Sequence, residues 1–196
     1  MKALEFYFDV GSPYSYIGLY RMLALAEQYP VNIVWKPILL GGVLKAHGNN
    51  SPLEIPAKAR YSIMDINRWA KIWDIPFTIN PYLPINTLQL MRLVTAIQMY
   101  RSDQFVSALK TIFNAMYREP KNLNDVNELL QLANSLNLTV AQIQSWLLNE
   151  QVKQQLKQAT EAAVEKGIFG APTWLIDNDM LWGVDHLNFV EMALAH

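Results

Sequence analysis

The chain has 196 residues, of which 52% are hydrophobic and 17% charged, with a formal net charge of -1. This balance is typical of a compact globular protein, and the small net charge argues against a polyelectrolyte partner such as nucleic acid. No apolar run reaches the roughly 18 residues that a membrane-spanning helix needs, and the N-terminus resembles a strand, not a secretory leader. We therefore expect a cytoplasmic protein with a small core fold and a large insertion, which binds neither nucleic acid nor membrane.

The first forty residues predict a βαβ unit. Residues 4–9 are short and rich in aromatic side chains, as in a buried strand, and Gly11 follows as a turn residue. Apolar residues then recur at spacings of three and four over residues 16–29, which favours a helix whose first turn would accommodate Pro13. Residues 31–38 alternate and are rich in β-branched side chains, which indicates a second strand.

Helical periodicity dominates the middle of the chain. Two loops rich in glycine or asparagine follow the second strand, and apolar stripes at helical spacing then continue to about Lys166. Leu83-Pro84-Ile85-Asn86 interrupts them once. We interpret the stripes as helix cores and not as a cofactor-binding surface.

Strand character returns only near the C-terminus. Residues 173–177 and 180–183 predict two strands, with Asn178-Asp179 as a hairpin turn, and residues 186–194 predict a final amphipathic helix. The order βαβ, helices, ββα predicts an α/β fold in two parts. Residues 1–40 and 160–196 would form a split domain of a few strands, and residues 41–159 would form an inserted all-helical domain.

A four-residue motif, Ser12-Pro13-Tyr14-Ser15, lies where the first strand gives way to the first helix. Thioredoxin-like redox proteins carry Cys-Pro-x-Cys at this position, but this chain contains no cysteine. A dithiol oxidoreductase is therefore excluded, and any sulfur chemistry needs a thiol supplied by another molecule.

The start of this helix could stabilise such a thiol. Unpaired N–H groups and the positive end of the helix dipole favour an anion there, and the Ser12 hydroxyl could donate to a thiolate. No histidine lies nearby in sequence to activate a serine, so we assign Ser12 to thiolate stabilisation instead of covalent attack. The alternative is a simple N-cap. Ser15 is expected to be structural.

The segment Gly167-Ile168-Phe169-Gly170-Ala171-Pro172-Thr173 is the second informative motif. An X-Pro bond is trans by default, since only about 5–6% are cis in folded proteins. Thioredoxin-like folds, however, place a cis-proline at the start of this strand, opposite the Cys-Pro-x-Cys helix. The resemblance implies that Pro172 is such a residue, and the two motifs together are more specific than either alone.

Nearly the whole chain resembles the DsbA-type thioredoxin superfamily and, within it, the group of kappa-class glutathione transferases and 2-hydroxychromene-2-carboxylate isomerases. The isomerase-like segments are Arg68-Trp69-Ala70 and Leu181-Trp182-Gly183-Val184-Asp185, and the transferase-like one is Phe8-Asp9-Val10. His186 departs from the isomerase pattern, which usually has arginine there. Further matches are Phe6-Tyr7-Phe8-Asp9-x-x-Ser12-Pro13-Tyr14-Ser15-Tyr16, Gly48-Asn49, Pro56-x-Lys58-x-x-Tyr61 and Phe169-Gly170-x-Pro172-Thr173.

This resemblance implies glutathione as the cofactor. Ala171, just before Pro172, would offer its backbone N–H and C=O to the cysteinyl segment, as an added strand does. Asp185 would take the γ-glutamyl ammonium, and the N–H groups of Asp185 and His186, beside Gly183, would hold the γ-glutamyl carboxylate. A simple N-cap is the alternative for Asp185.

The remaining candidates concern the glycyl end of glutathione and the second substrate. Asn49 and Lys58 are similar to residues that hold the glycyl end or border the substrate, although Lys58 is equally consistent with a solvated surface lysine. Asn86 and Trp182 are candidate substrate contacts, with a core position as the alternative for Trp182. The three histidines, His47, His186 and His196, lack ligand spacing, so we expect no metal.

The sequence thus supports a glutathione-dependent isomerase of the 2-hydroxychromene-2-carboxylate or hydroxybenzylidenepyruvate type. A bound glutathione thiolate would add reversibly to a conjugated double bond of an aromatic-derived α-keto acid or chromene. A kappa-like glutathione S-transferase is the first alternative, and a non-catalytic thioredoxin-fold binding module is the second. The family resemblance also implies a homodimer.

Overall fold

A four-stranded sheet joins the two ends of the chain. The computed structural model describes residues 2–195, so Met1 and His196 lie outside the described residues. The strand order is β2-β1-β3-β4, with β1 and β2 parallel and the other two pairs antiparallel. The strands are β1 (Lys2–Phe8), β2 (Val31–Pro37), β3 (Thr173–Ile176) and β4 (Asp179–Trp182).

The helices lie on both sides of this sheet, and seven of those described fall between β2 and β3. Short 3-10 turns span Pro52–Glu54, Ser102–Gln104 and Val184–His186. The α-helices are α1 (Pro13–Gln28), α2 (Leu40–Ala46), α3 (Pro56–Ile72), α4 (Leu88–Tyr100), α5 (Phe105–Tyr117), α6 (Val126–Ser135), α7 (Val140–Leu148), α8 (Glu150–Glu165) and α9 (Leu187–Ala195). The predicted α/β fold with a large helical insertion is confirmed.

Aromatic side chains of the central strands form the core beneath α1. Phe6 is fully buried and stacks on Phe8 and Trp174, with ring centroids 5.3 and 5.6 Å apart. Helix α1 approaches the sheet closely at Gly18, where a Cβ atom would lie 3.1 Å from the Trp174 ring. This close approach fixes the helix, and therefore its N-terminus, relative to the carboxyl end of β1.

The predicted hairpin turn is wrong by one residue. Asp177 and Asn178 form the turn, because both adopt positive φ angles of 50° and 70°, as a two-residue type I′ turn requires. Asp179 is already the first residue of β4. The final helix also differs from the expected residues 186–194, since a 3-10 turn at Val184–His186 precedes α9. Most other element ends lie within a few residues of the predicted ones.

Helix α8 crosses the proposed domain boundary without interruption. It runs from Glu150 to Glu165, so residue 160 lies well inside it. The Thr160 hydroxyl accepts a hydrogen bond from the Leu39 N–H at 3.0 Å, which ties α8 to the end of the βαβ unit. The last helix of the insertion therefore also packs on the sheet domain. No helix within residues 2–195 has the length and apolar character needed to cross a membrane.

Candidate active site

Ser12 occupies the N-terminus of α1, and its side chain makes two hydrogen bonds. The residue is 4% exposed, and its Oγ accepts from the Ser15 N–H at 3.2 Å, so it is the N-cap of the helix. The same Oγ donates to the Ala171 carbonyl at 2.9 Å. Ser12 therefore joins the two motifs that lie 159 residues apart in sequence.

The first turn of α1 retains free polar groups. Pro13 has no N–H, and the Ser15 N–H is taken by Ser12. The Tyr14 N–H has no hydrogen-bond partner among residues 2–195, and the fully buried Ser15 Oγ has none either. An anion at this helix end would thus find one free backbone donor beside the Ser12 hydroxyl.

Pro172 lies directly beside this helix end. The Ala171–Pro172 peptide bond is cis, and Pro172 is buried at the start of β3. Its carbonyl accepts a hydrogen bond from the Gly183 N–H at 3.1 Å. The structure therefore brings Ser12, Ala171, Pro172 and Gly183 together as one continuous cluster.

Asp185 and His186 lie in the 3-10 turn that follows Gly183. The N-cap of this turn is Gly183, and no side chain caps it, so the alternative of Asp185 as an N-cap is wrong. The Asp185 carboxylate instead folds back over Gly183, where a Cβ atom would clash with Asp185 Oδ1. Gly183 also has a φ of 88°, so a side chain there meets both strain and a clash.

The His186 N–H already forms a hydrogen bond within the turn. It donates to the Gly183 carbonyl at 3.1 Å, which competes with the expected role in holding a carboxylate. The Asp185 N–H has no hydrogen-bond partner in the described part of the chain. The imidazole Nδ1 of His186 lies 3.4 Å from Asp185 Oδ1, and its ring stacks on Phe189. Of the two backbone donors expected here, only that of Asp185 is free.

Asn49 and Lys58 remain apart from this cluster. Both are exposed, and neither hydrogen-bonds to another of the predicted site residues. Lys58 lies in the first turn of α3, and α3 is tied to the start of α1 by a hydrogen bond of 2.9 Å from the Tyr14 hydroxyl to Asp65. Lys58 precedes Asp65 by seven residues, or about 10 Å along the helix. It is thus on an element that contacts the site.

The Tyr14 hydroxyl is a donor at any ordinary pH. Burial raises the pKa of Tyr14, and the hydrogen bond to the Asp65 carboxylate raises it further. The phenol therefore stays protonated and its bond to Asp65 persists.

The two candidate substrate contacts differ in position. Asn86 is exposed, and its side-chain carbonyl accepts from the Leu88 N–H at 3.1 Å, so its amide nitrogen points away from that contact and is free to donate to a ligand.

Trp182 is 47% exposed, so the alternative of a core position is wrong. Trp182 pairs with Thr173 of β3, so the two side chains lie on the same face of the sheet. The next residue of β3, Trp174, packs on α1, and because side chains alternate along a strand, Trp182 lies on the face opposite α1. The Trp182 indole packs on Phe169, with ring centroids 5.0 Å apart, and lies beside Gly170, so its role as a substrate contact stays a prediction.

A buried carboxylate that the sequence analysis did not single out lies behind Ser12. Asp9 is 1% exposed and accepts hydrogen bonds from the N–H groups of Gly11 and Leu40, both at 2.8 Å. Burial raises the pKa of Asp9, although the hydrogen bonds it accepts oppose this effect. Its position directly after a buried strand could have identified Asp9 as a candidate from the sequence, because polar groups there lie next to the start of the following helix.

Comparisons with known proteins agree with this architecture. Glutathione S-transferase kappa 1 of Rattus norvegicus is 26% identical over 207 residues, covering 99% of this chain and 91% of that protein. A 2-hydroxychromene-2-carboxylate isomerase of Pseudomonas putida is 28% identical over 196 residues, covering 98% and 94%. Both relatives therefore match almost end to end.

Solved structures give the same result. A 2-hydroxychromene-2-carboxylate isomerase superposes with a TM-score of 0.88 at 26% identity, over 98% of this chain and 94% of that one. A probable DsbA oxidoreductase of Streptomyces coelicolor, with a TM-score of 0.77 and 16% identity over 100% and 89% of the chains, shares the fold. The model of the DSBA-like thioredoxin domain matches residues 3–195. With its sheet order, its helical insertion and this match, the chain belongs to the DSBA-like thioredoxin domain family.

Proposed function

We propose that the protein is a glutathione-dependent isomerase of the 2-hydroxychromene-2-carboxylate or hydroxybenzylidenepyruvate type. The observation that carries the proposal is the buried Ser12 hydroxyl at the N-terminus of α1, 2.9 Å from the Ala171 carbonyl, in a chain without cysteine. The relatives named isomerase and transferase support an enzyme of this general kind on the DsbA fold. Homodimer formation and a cytoplasmic location stay predictions.

The polar groups of the cluster fit the chemistry of glutathione. The free Tyr14 N–H and the Ser12 hydroxyl suit a thiolate, and the Ala171 backbone suits a peptide segment. The exposed Asp185 carboxylate is matched to an ammonium group. Lys58 and Asn49 are our proposed partners of the glycyl carboxylate, or of the substrate that it borders.

Ligand binding would require one exchange of hydrogen bonds. The Ser12 hydroxyl has a single proton, which it now gives to the Ala171 carbonyl. To donate to a sulfur anion it must rotate away, and a peptide N–H of the ligand can then replace it on Ala171. The Ser15 N–H would continue to cap onto Ser12 Oγ throughout. The exchange leaves neither the Ser12 hydroxyl nor the Ala171 carbonyl without a partner, which limits its cost.

Bound glutathione would supply a thiolate that adds reversibly to a conjugated double bond, which allows rotation about the resulting single bond before elimination. Within this reaction Ser12 would stabilise the anion and set its position. Lys58 and the Asn86 amide nitrogen are the proposed donors for the substrate carboxylate or the developing enolate oxygen. Because Ser12 donates without losing its proton, the chain itself would need no general base for this step.

The direct test is mass spectrometry and ultraviolet spectroscopy of the products formed from hydroxybenzylidenepyruvate with glutathione. An isomerase leaves the substrate mass unchanged while the spectrum changes, and it requires glutathione without consuming it. S-methylglutathione should bind but should not support turnover. Absence of any glutathione-dependent spectral change, with this substrate and its cyclic chromene form, would count against the proposal.

A kappa-like glutathione S-transferase is the second candidate, favoured by the match to the kappa 1 enzyme of Rattus norvegicus. It would use the same activated thiolate, but the product mass would rise by the mass of glutathione. A non-catalytic binding module is the third candidate. Failure of millimolar glutathione to raise the melting temperature would favour that module over both enzymes, since a ligand of the folded state stabilises it.

Asp185→Ala should weaken glutathione binding more than it slows saturated turnover. The carboxylate is proposed to contact the γ-glutamyl end, which is remote from the reacting sulfur. Asp185→Asn is the matched control for charge, because it keeps the side chain that folds over Gly183. Calorimetry with glutathione and steady-state kinetics would measure both effects. Equal losses in binding and in kcat, or none in either, would contradict this role.

A further inference from the structure

The turn that presents Ser12 is held from behind by the helical insertion. The Ser12 N–H donates to the Asp9 carbonyl at 3.0 Å, so residues 9–12 form a closed turn with Val10 and Gly11 at its centre. Asp9 is the first residue of this turn, and its side chain accepts from the Gly11 N–H within it. The carboxylate thus braces its own turn.

Side chains from α4, α5 and the residue before α4 complete this bracing. The Tyr117 hydroxyl at the end of α5 donates to the Gly11 carbonyl at 2.7 Å, and the Thr87 hydroxyl donates to Asp9 Oδ2 at 3.3 Å. The Val10 N–H contacts the Met91 sulfur in α4 at 3.4 Å. Every polar backbone group of Gly11 is therefore held by a buried or half-buried side chain.

The space around Gly11 is also closed. A Cβ atom at this position would lie 2.7 Å from the Thr87 methyl group and 3.3 Å from Asp9 Oδ1. The methyl belongs to a short β-branched side chain, which cannot swing aside as a long one does. Glycine is required here by close contact, and the turn has no room to shift toward α4.

Asp9 has no cationic partner. Within residues 2–195 no lysine, arginine or histidine forms a salt bridge with it, and its hydrogen-bond donors are two backbone N–H groups and one hydroxyl. Burying a carboxylate without a cationic partner is costly, and only hydrogen bonds offset that cost here. The two carboxylate oxygens of Asp9 join three segments: the Ser12 turn, the start of α2 and the residue before α4.

From these contacts we infer that Asp9, Thr87 and Tyr117, here called the Gly11 support, position the Ser12 hydroxyl for the reaction. They are positioning residues, since each acts through Gly11 and the turn instead of touching a ligand. The inference rests on the proposed role of Ser12. A displaced hydroxyl would still cap the helix but would miss the sulfur, so the effect belongs mainly to kcat and not to glutathione affinity.

The first test introduces a steric clash between residue 11 and the Thr87 methyl group and then removes that methyl group. Gly11→Ala should lower kcat on the order of tenfold to hundredfold, because the new methyl forces the turn away from Thr87. Thr87→Ser removes the obstructing methyl and keeps the hydroxyl, so the Gly11→Ala/Thr87→Ser double variant should recover much of the lost kcat. Absence of recovery, with both variants folded by circular dichroism, would overturn the inference.

The second test compares the half-buried Thr87, at the N-cap of α4, with the buried Thr95 inside that helix. Thr87→Val removes the hydroxyl bound to Asp9, whereas Thr95→Val removes a 1% exposed hydroxyl that bonds only within α4, to the Met91 carbonyl. Thr87→Val should lower kcat and raise the pKa of bound glutathione, and Thr95→Val should change neither. Equal kinetic effects of the two substitutions would show a merely structural role.

The third measurement does not depend on activity. Asp9→Asn replaces one acceptor oxygen with an NH2 group that must face either the Gly11 or the Leu40 N–H, so one hydrogen bond is lost. Amide exchange should then quicken about threefold to tenfold at Gly11 or at Leu40, whichever N–H has lost its hydrogen bond to residue 9. Unchanged amide exchange at these positions would overturn the inference. Failure of the parent protein to bind glutathione would overturn only the proposed function.

Discussion

Ser12→Ala is expected to lower kcat about ten- to a hundredfold and to raise the pKa of bound glutathione. The substitution removes one hydrogen bond to a thiolate, which is worth roughly 1.5–3 kcal/mol when the acceptor is charged. It also removes the cap on the Ser15 N–H, so the free energy of unfolding should fall by about 1 kcal/mol. Thiolate ultraviolet absorbance, titrated against pH, measures the pKa directly.

Ser15→Ala is the matched control for this experiment. Ser15 is fully buried in the same turn of helix, but its hydroxyl has no hydrogen-bond partner in the described chain. Its removal should leave kcat and the thiol pKa close to those of the parent. If Ser12→Ala titrates like the parent and keeps full kcat, Ser12 is only a helix cap and the proposed mechanism is wrong.

Phe6→Ala is expected to have the largest effect on stability. The ring is fully buried, stacks on Phe8 and Trp174, and meets the edge of Trp35 at 5.8 Å. Truncating a core phenylalanine costs about 3–5 kcal/mol, through lost burial and the cavity that remains. For a chain of this size the melting temperature should fall by roughly 6–20 °C.

An exposed phenylalanine provides the comparison. Phe189 on α9 is 48% exposed and stacks only on His186, so Phe189→Ala should change the free energy of unfolding by less than about 1 kcal/mol. Chemical denaturation of the two variants and the parent would measure the difference. Similar losses for Phe6 and Phe189 would contradict the core described for β1 and β3.

The sequence predicted the fold well because the decisive signals were local or shared with a known family. Alternation in the strands, helical spacing in the insertion and the two serine and proline motifs are all visible in short windows. The 3-10 turn at Val184–His186 was missed, since Asp185 after Gly183 is a common helix-start pattern and only backbone geometry reveals the tighter turn.

The candidate site was predicted only in part. Ser12, Ala171, Pro172 and Gly183 lie together as the resemblance implied, whereas Trp182 is on the other face of the sheet. Strand register decides that face, and one residue of difference reverses it. The supports of Gly11 could not be foreseen, because Thr87 and Tyr117 are 78 and 106 residues from their partners and carry no motif.

The bracing of the Ser12 turn limits how this site can be transplanted. Grafting residues 9–15 onto another scaffold would transfer the Ser12 hydroxyl without Leu40, Thr87 and Tyr117. These three residues are distant in sequence, and each forms a hydrogen bond that holds the turn. The smallest transferable unit therefore includes the ends of α2, α4 and α5. The helical insertion therefore belongs to the structural unit that holds Ser12. A shortened chain that lacks the insertion is expected to lose the fixed position of the Ser12 hydroxyl.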